Sequence, residues 1–233
     1  FDTGCGLVFE ENMLQAGVDW SDIDYIVLSH RHFDHTGGLL KAVENCTAPI
    51  VAHPDIFMPN LLRIRGQTVN AGIPFTKAQL EAKGARFIFI RDMFKLMDGI
   101  AVSGEIPRVS DEKVMESYTF RDGKMAEDNL LDDMAIFTKT KHGGVVITGC
   151  AHSGIINTIL RGQEIVGEVH AALGGFHLMF SPPDVAEKVM DRVMELSKVV
   201  GPTHCSGVVA QSFAIKKGPE RYIQLGSGIK LKF

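Results

Sequence analysis

The stretch VLSHRHFDHTGGL, from Val27 to Leu39, decides how the rest of the chain is interpreted. It places three histidines and an aspartate within six residues, directly after a run of β-forming residues. Side chains two positions apart in an extended segment point the same way, so His30 and His32 can grip one metal ion. Asp34 and His35 follow where the chain turns toward a helix, and they suit a second metal ion nearby. Imidazole nitrogen with carboxylate oxygen is a donor set for zinc, iron or manganese.

A metal site explains this cluster better than packing does. A lone histidine at a strand end is usually a hydrogen-bonded structural residue, but burying four such groups without partners would be costly. One short motif cannot complete two coordination shells, so further ligands must come from later strand ends. The ends of neighbouring strands can converge on one edge of a sheet. TGCAHSG offers His152 and PTHCSG offers His204 at such ends.

Composition bounds the class of protein. The chain has 233 residues, 45% of them hydrophobic, and a net charge of −4, which gives no basic footprint for nucleic acid. We see neither an apolar run of membrane-spanning length nor a signal peptide, and the four cysteines form no CxxC pair. We therefore expect a cytoplasmic protein with reduced thiols that binds neither membranes nor nucleic acid. An anionic small-molecule substrate stays possible because a bound metal can dominate the local charge. The sequence does not determine the oligomeric state.

The pattern of elements predicts a layered α/β fold with a mixed sheet, because strands alternate with helices and hairpins occur among them. We expect a single domain over 1–233 that lacks a short N-terminal segment, since FDTG looks like a strand end and its turn. The charged stretch 109–133 is expected to be an insertion or a lid loop. Predicted strands cover 23–30, 48–54, 86–90, 100–108 and 169–175, predicted helices cover 36–44, 76–83 and 152–162, and a hairpin covers 132–149. The strongest helix pattern runs from Ser181 as its cap, through Pro182 at its first position, to Gly201 at its end.

Four motifs resemble the signature of the metallo-β-lactamase superfamily. SHRHFDHTGG matches its His-x-His-x-Asp-His motif in full, FDTG resembles its first motif, and TGCAHSG and THCSG resemble its third-histidine and last-histidine motifs. The resemblance implies a four-layer αββα sandwich with a dinuclear metal site at one edge. SGEIPR, the stretch from DDMAIF to GIINT, LGGFHL and PTHCSG are closer to the 7,8-dihydropterin-6-methyl-4-(β-D-ribofuranosyl)aminobenzene 5′-phosphate synthase-like group.

The resemblance implies a ligand set for two divalent metal ions, with zinc expected first and manganese or iron as alternatives. His30, His32 and His152 would form site one, and Asp34, His35 and His204 would form site two. Asp2 would support the metal loop from below. The superfamily usually has an aspartate that bridges both metals, but LGGFHL contains no acidic residue. His177 takes that place or contacts substrate.

The implied activity is a metal-dependent hydrolase or synthase acting on a phosphorylated or pterin-like small molecule. Asp34 would orient a metal-bound hydroxide and carry its proton. Arg108 and the helix start at Ser153 and Gly154 are candidates for phosphate binding, against the commoner roles of a surface arginine and a helix cap. Two alternatives stay open: another substrate class (phosphodiester, lactone or thioester), and a non-catalytic metal-binding sensor.

The remaining candidates have plainer explanations. Cys150 and Cys205 flank site histidines, and buried structural thiols are the commoner outcome for such cysteines. Asp132 and Asp133 open a strand from a turn, or line the mouth of the site. The histidines expected to be structural or solvated are His53, His142 and His170.

Overall fold

A computed structural model describes residues 1–64, 66–112 and 117–233. The chain divides into two compact units. Unit 1 consists of Phe1–Arg91 with Met115–Asp132, and unit 2 consists of Asp92–Val114 with Asp133–Phe233. Each unit has its own hydrophobic core. Residues 1–233 were expected to form a single domain. The candidate metal ligands lie in both of these units.

The helices and strands have the following bounds in chain order. The helices are α1 (Phe9–Gln15), α2 (Phe33–Thr36), α3 (Leu39–Asn45), α4 (Lys77–Ala82), α5 (Ile155–Val166), α6 (Pro183–Leu196) and α7 (Gly207–Lys217). The strands are β1 (Ile26–Val27), β2 (Ile50–Ala52), β3 (Leu61–Ile64), β4 (Gln67–Asn70), β5 (Phe87–Phe89), β6 (Phe94–Met97), β7 (Ile100–Val102), β8 (Tyr118–Arg121), β9 (Lys124–Glu127), β10 (Ala135–Thr140), β11 (Gly143–Thr148), β12 (Val169–Gly175) and β13 (Val199–Thr203). Among the described residues, no helix combines the length and the apolar composition needed to cross a membrane.

Unit 1 contains a parallel sheet of order β1-β2-β5, and the histidine-rich motif follows its first strand. The predicted strand 23–30 is regular only over β1, although Leu28 still donates to the carbonyl of Val51 at 3.0 Å. Ile26, Leu28 and Ile50 are buried in the core of this unit. The chain therefore leaves a fixed strand immediately before Ser29 and His30.

Two glycines hold the chain close to the N-terminal segment after the motif. The predicted helix 36–44 is interrupted at Gly37 and Gly38, which lie between α2 and α3. A Cβ atom on Gly37 would lie 2.4 Å from the carbonyl oxygen of Cys5, and one on Gly38 would lie 2.3 Å from that of Thr3. The expectation that these glycines permit a close backbone approach is confirmed.

The stretch 109–133 contains a β-hairpin where a loop was expected. Strands β8 and β9 pair in a second unit 1 sheet of order β4-β3-β8-β9, with the turn at Asp122 and Gly123. Both turn residues have positive φ, which is the conformation that Asp-Gly supplies in a two-residue hairpin. The charge-rich composition of the stretch obscured this signal. Residues 113–116 lie outside the described residues, and the role of a lid stays a prediction.

Unit 2 is built on a six-stranded mixed sheet of order β13-β12-β11-β10-β7-β6. The predicted hairpin 132–149 is confirmed as β10 and β11, and the predicted strand 169–175 is β12. Strands β11, β12 and β13 are parallel neighbours, so their carboxyl ends lie at one edge. Helices α5 and α6 contribute buried apolar residues to the core of this unit.

Both predicted helix starts in this unit were wrong in detail. Helix α5 begins at Ile155 with Gly154 as its N-cap at φ 95°, so Ser153 is not the cap. Helix α6 has Pro182 as its N-cap without a side-chain cap, so Ser181 does not cap it. It ends at Leu196 rather than near Gly201, which lies inside β13. The β-branched residues Val199 and Val200 favour pairing with β12 over another helical turn.

Candidate metal centre

His30 and His32 face each other in unit 1. Their ring centroids are 4.6 Å apart, and Nε2 of His30 lies 3.1 Å from Nδ1 of His32. Two nitrogens bound tetrahedrally to one zinc ion at 2.0–2.1 Å would be about 3.3 Å apart. Both rings are buried. The spacing of this pair is therefore close to that of two ligands of a single metal ion.

The outer partners of these rings determine where their lone pairs lie. Ser29 Oγ donates to Asp2 Oδ2 at 2.8 Å, so it accepts a hydrogen bond from Nδ1–H of His30, also at 2.8 Å. Asn60 donates through Nδ2 to Asp128, so its Oδ1 accepts from Nε2–H of His32 at 3.0 Å. The lone pairs then lie on Nε2 of His30 and Nδ1 of His32, which are the two atoms that face each other. Such oxygen partners fix the orientation and tautomer of metal-binding histidines.

Two facing lone pairs repel unless a cation or a proton lies between them. Burial lowers the pKa of His32 to about 4, so the ring is neutral at pH 7 and does not supply that proton. A divalent metal ion would satisfy both nitrogens at once. The residues present therefore fit the metal that the motif predicts.

Asp34 and His35 form a second pair of donors in the same unit. Nδ1–H of His35 donates to Asp2 Oδ2 at 2.7 Å, which directs the lone pair to Nε2. Nε2 lies 3.7 Å from Oδ2 of Asp34. The ring of His30 also lies close to that of His35, with centroids 4.2 Å apart, so the expected grouping of His30 with His32 and of Asp34 with His35 stays a prediction.

A buried ion pair supports the motif from its opposite face. Arg31 is 1% exposed, its guanidinium pairs with the carboxylates of Asp128 and Asp132, and its backbone N–H donates to Asp132 at 2.8 Å. Burial opposes the charge on Asp128, but Arg31 and the hydrogen bonds from Asn60 and Leu130 lower the pKa of Asp128 below its ordinary value. This network holds the chain on both sides of Arg31, and hence the two histidines beside it.

In unit 2, the loops after β11, β12 and β13 bring imidazoles and thiols together. The ring centroids of His152 and His177 are 4.2 Å apart. One donor atom from each of Cys150, His152 and His177 lies within 4.8 Å of the others. The same holds for Cys150, His204 and Cys205. His152 and His204 therefore both lie close to the thiol of Cys150. This proximity is expected because the strands that precede them end at the same edge of the sheet.

The backbone at these loops is strained. Ala151, His177 and His204 all have positive φ, between 50° and 58°, which is uncommon for residues other than glycine. Both ring nitrogens of His177 are buried. Strain of this kind persists where the surroundings hold a side chain in place, and it clusters at functional sites.

Interactions within unit 2 lower the pKa of the Cys205 thiol. The adjacent Cys150 lowers the pKa of Cys205, burial acts in the opposite direction, and the imidazoles of His177 and His204 lower it further, to about 4. Burial raises the pKa of Asp133, whose Oδ2 accepts from the backbone N–H of Ser153 at 2.8 Å.

The backbone N–H groups of Ser153 and Gly154, which are candidates for phosphate binding, already donate hydrogen bonds within the chain. Ser153 N–H donates to Asp133, and Gly154 N–H donates to the carbonyl of Ala151 at 2.9 Å. Oε2 of Glu112 accepts from the N–H of Ile156 at 2.9 Å, so a carboxylate of the chain occupies the start of α5. Arg108 is exposed and close enough to Asp133 to influence its pKa. The phosphate-binding role of Arg108, Ser153 and Gly154 stays a prediction.

Among the described residues, the other three histidines are members of none of these donor groups. His53 is buried, and its Nδ1 accepts from the N–H of Asp55 at 3.1 Å. His142 is exposed in the β10–β11 turn, and its ring lies 5.5 Å from that of His170.

Comparison with known proteins decides the family. Residues 1–110 match the family model of the Metallo-beta-lactamase superfamily. Over 239 aligned residues the chain is 31% identical to 7,8-dihydropterin-6-methyl-4-(β-D-ribofuranosyl)-aminobenzene-5′-phosphate synthase of Methanocaldococcus jannaschii, covering 95% of this chain and 79% of that protein. The chain belongs to the metallo-β-lactamase superfamily. The resemblance expected from its motifs is confirmed.

Solved structures agree on the fold. Tm1679, described as a metal-dependent hydrolase of the β-lactamase superfamily, superposes with a TM-score of 0.86 at 26% identity, covering 100% of this chain and 88% of that one. Zn²⁺-bound PqqB from Methylobacterium extorquens gives a TM-score of 0.53 at 14% identity over 91% of this chain and 73% of that one, which supports the fold alone. The predicted α/β metallo-β-lactamase-like fold is confirmed.

Sequence reasoning missed several supporting residues. Asn60 and Asp128 are isolated polar residues outside every motif, and only the fold shows that one holds His32 while the other neutralises Arg31. The sequence does contain a signal for the role of Arg31. Successive side chains of an extended segment point to opposite faces, so Arg31 points away from His30 and His32. A buried arginine there requires carboxylate partners.

Proposed function

We propose that this protein is a metal-dependent enzyme that holds two divalent metal ions and acts on a phosphorylated or pterin-like small molecule. The observation that carries the proposal is the 3.1 Å approach of the His30 and His32 nitrogens, both oriented as acceptors by their outer partners. The relative named as a dihydropterin-ribofuranosylaminobenzene phosphate synthase supports the substrate class. Zinc is the expected metal because imidazole donors dominate the set.

The proposed ligands come from both units. His30, His32 and His152 would hold one metal ion, and Asp34, His35 and His204 would hold the other. In unit 1, the short distances between the donor atoms of His30 and His32 and between those of Asp34 and His35 support these four ligands. Unit 2 supports His152 and His204 by their positions after the parallel strands β11 and β13. His177 is proposed as a further ligand or a substrate contact beside His152.

Two bound metal ions would lower the pKa of a shared water molecule and polarise an oxygen atom of the substrate. The chain supplies the remaining functions. The side chain of Asp34 is 30% exposed, so its carboxylate can reach solvent or substrate while it faces His35. We assign Asp34 the role of orienting the attacking or leaving oxygen and carrying its proton. Arg108, exposed near Asp133, is proposed to contact the anionic part of the substrate.

Hydrolysis of a different substrate class is the second candidate. The similarity to Tm1679, described as a metal-dependent hydrolase, favours it. The same donor set would serve a phosphodiesterase, a lactonase or a thioesterase, because each reaction needs a polarised oxygen and an activated water. A non-catalytic metal sensor would retain the ligands without turnover.

The test is metal analysis of the purified protein, followed by a substrate panel with zinc-reconstituted enzyme. The panel contains a dihydropterin diphosphate with a ribofuranosylaminobenzene phosphate acceptor, a bis-aryl phosphodiester, lactones and thioesters. His30→Ala should reduce bound metal and abolish turnover, whereas His142→Ala, which alters an exposed histidine in a turn, should change neither. A protein that binds no transition metal at micromolar concentration would exclude the proposal. Metal binding without turnover of any substrate would favour the sensor.

A further inference from the structure

The thiol of Cys150 lies among donors that belong to both proposed metal positions. Within unit 2, its sulfur is grouped with the imidazoles of His152 and His177 and also with His204 and Cys205, each group within 4.8 Å. Cys150 is 3% exposed. It is thus the common member of the group that contains His152 and the group that contains His204.

The surroundings of this sulfur differ from those of an ordinary buried cysteine. A structural thiol behaves as a small hydrophobe and packs against apolar side chains. Cys150 lies instead beside imidazoles, and Sγ of Cys205 lies 3.7 Å from its carbonyl oxygen. Imidazoles and thiolates together form a donor set of the kind that binds zinc or iron in proteins.

The end of β12 leaves no room for a carboxylate. A Cβ atom on Gly175 would lie 2.3 Å from the carbonyl oxygen of Gly149 and 2.7 Å from Sγ of Cys205. An acidic side chain at this position would displace the backbone of the β11 loop. In unit 2, the donor groups that contain His152 or His204 draw their other members from imidazoles and sulfur atoms.

We propose that Cys150 is a metal ligand, shared between the position served by His152 and the position served by His204. The inference rests on the proposed metal centre and specifies its chemistry. Coordination replaces the S–H bond with an S–metal bond and releases one proton to solvent. A soft sulfur ligand selects zinc or iron over manganese or magnesium.

X-ray absorption at the zinc edge tests this on the protein loaded with zinc. The wild-type protein should show a sulfur shell at about 2.3 Å beside a nitrogen and oxygen shell at about 2.0–2.1 Å. Cys150→Ser should lose the sulfur shell, while Cys205→Ser, Cys46→Ser and Cys5→Ser should keep it. These four residues are all the cysteines of the chain. If Cys150→Ser does not fold, retention of the shell in the other three variants identifies Cys150 by elimination.

The outcomes separate the two proposals. Zinc bound without any sulfur shell in the wild type would overturn the role of Cys150 and leave the metal enzyme standing. Loss of the shell in Cys205→Ser with retention in Cys150→Ser would overturn it in favour of Cys205. No zinc binding at all would overturn both. A proton count supports the same assignment, because zinc binding to the wild type should release about one proton more than zinc binding to Cys150→Ser.

Discussion

The carboxylate of Asp2 accepts a hydrogen bond from Nδ1 of His35 at 2.7 Å, across 33 positions of the chain. The same carboxylate also accepts from the backbone N–H and the hydroxyl of Ser29, at 2.7 and 2.8 Å. Ser29 in turn accepts from His30. One side chain therefore fixes the tautomers of two histidines that belong to different proposed metal positions.

Asp2→Asn should weaken metal binding without removing a ligand. The asparagine amide cannot accept from both Ser29 and His35 as a carboxylate does, so both rings lose part of their orientation. Loss of such a partner typically costs 10-fold to 100-fold in metal affinity, and we expect about that decrease. Competition titration with a chromogenic chelator measures the affinity. Asp24→Asn, at an exposed position of the same unit, should leave it unchanged. Equal affinity in the two variants would contradict the assigned role of Asp2.

Gly37→Ala should destabilise the motif through the backbone. The new Cβ would lie 2.4 Å from the carbonyl oxygen of Cys5, and backbone atoms cannot move aside as a flexible side chain can. We expect a loss of about 2 kcal/mol or more in the free energy of unfolding, as for overpacked sites. The matched control is Gly226→Ala, whose Cβ would meet its nearest atom at 3.8 Å. Urea unfolding followed by circular dichroism measures both. A loss in Gly37→Ala no larger than in the control would show that the N-terminal segment can shift.

The motifs predicted which histidines lie close together, but they did not predict the residues that hold those histidines in place. His30, His32, Asp34 and His35 lie within six residues of one another, so local geometry brings their side chains together. The strand ends at His152 and His204 follow from the hairpin and parallel-strand patterns. Asn60 and Asp128 contact the motif from positions 28 or more residues away. No local pattern marks such a contact, because it depends on how β3 and the β8–β9 hairpin pack.

Helix boundaries failed for a related reason. Ser153 and Ser181 are good N-cap residues by propensity, yet neither caps the helix that follows. The N–H of Ser153 is directed to the buried carboxylate of Asp133 instead. The side chain of Ser153 also interacts with Asp133, and Glu112 accepts from the N–H groups of Ile156 and Asn157 at the start of the helix. A carboxylate from another part of the chain therefore takes the role expected of the serine cap.

Asp128→Ala should destabilise the protein at neutral pH, because it leaves Arg31 buried with only part of its charge compensated. Breaking a buried ion pair costs about 3–5 kcal/mol, and we expect about 3 kcal/mol since Asp132 remains. The pKa of Asp128 is lowered in the folded state, so its stabilisation is present above the unfolded pKa of about 3.9 and is lost as pH falls through the folded value. The difference between wild type and variant should therefore shrink below about pH 4.

Chemical denaturation at a series of pH values between 3 and 7 measures this difference. Asp98→Ala removes a surface ion pair with Lys95 at a fully exposed position and should change stability little. A difference for Asp128→Ala that is independent of pH would mean that the lost interaction is not that of the ionised carboxylate.

Glu112→Gln should have the opposite pH signature. Burial raises the pKa of Glu112, so ionising this group opposes folding, and the wild type loses stability as pH rises from the unfolded pKa of about 4.3 toward the folded value. Glutamine keeps an oxygen acceptor for the N–H of Ile156 but does not titrate. The variant should therefore lack this decrease and match or exceed the wild type at pH 7. Glu187→Gln, at an exposed position of α6, should preserve the wild-type profile.

Asp34→Asn should separate catalysis from metal binding. Its carboxylate lies 3.7 Å from Nε2 of His35 and is partly exposed, which suits a group that both approaches a metal and moves a proton. Asparagine keeps the shape but cannot take up a proton, so we expect turnover to fall by about 100-fold or more. The metal held with His30 and His32 should remain, and total bound metal should fall from about two ions toward one, as measured by mass spectrometry of the metal content. Asp92→Asn, an exposed change, serves as the control. Full turnover in Asp34→Asn would assign the proton transfer to another group, whereas no turnover in either variant or in the wild type would favour a sensor.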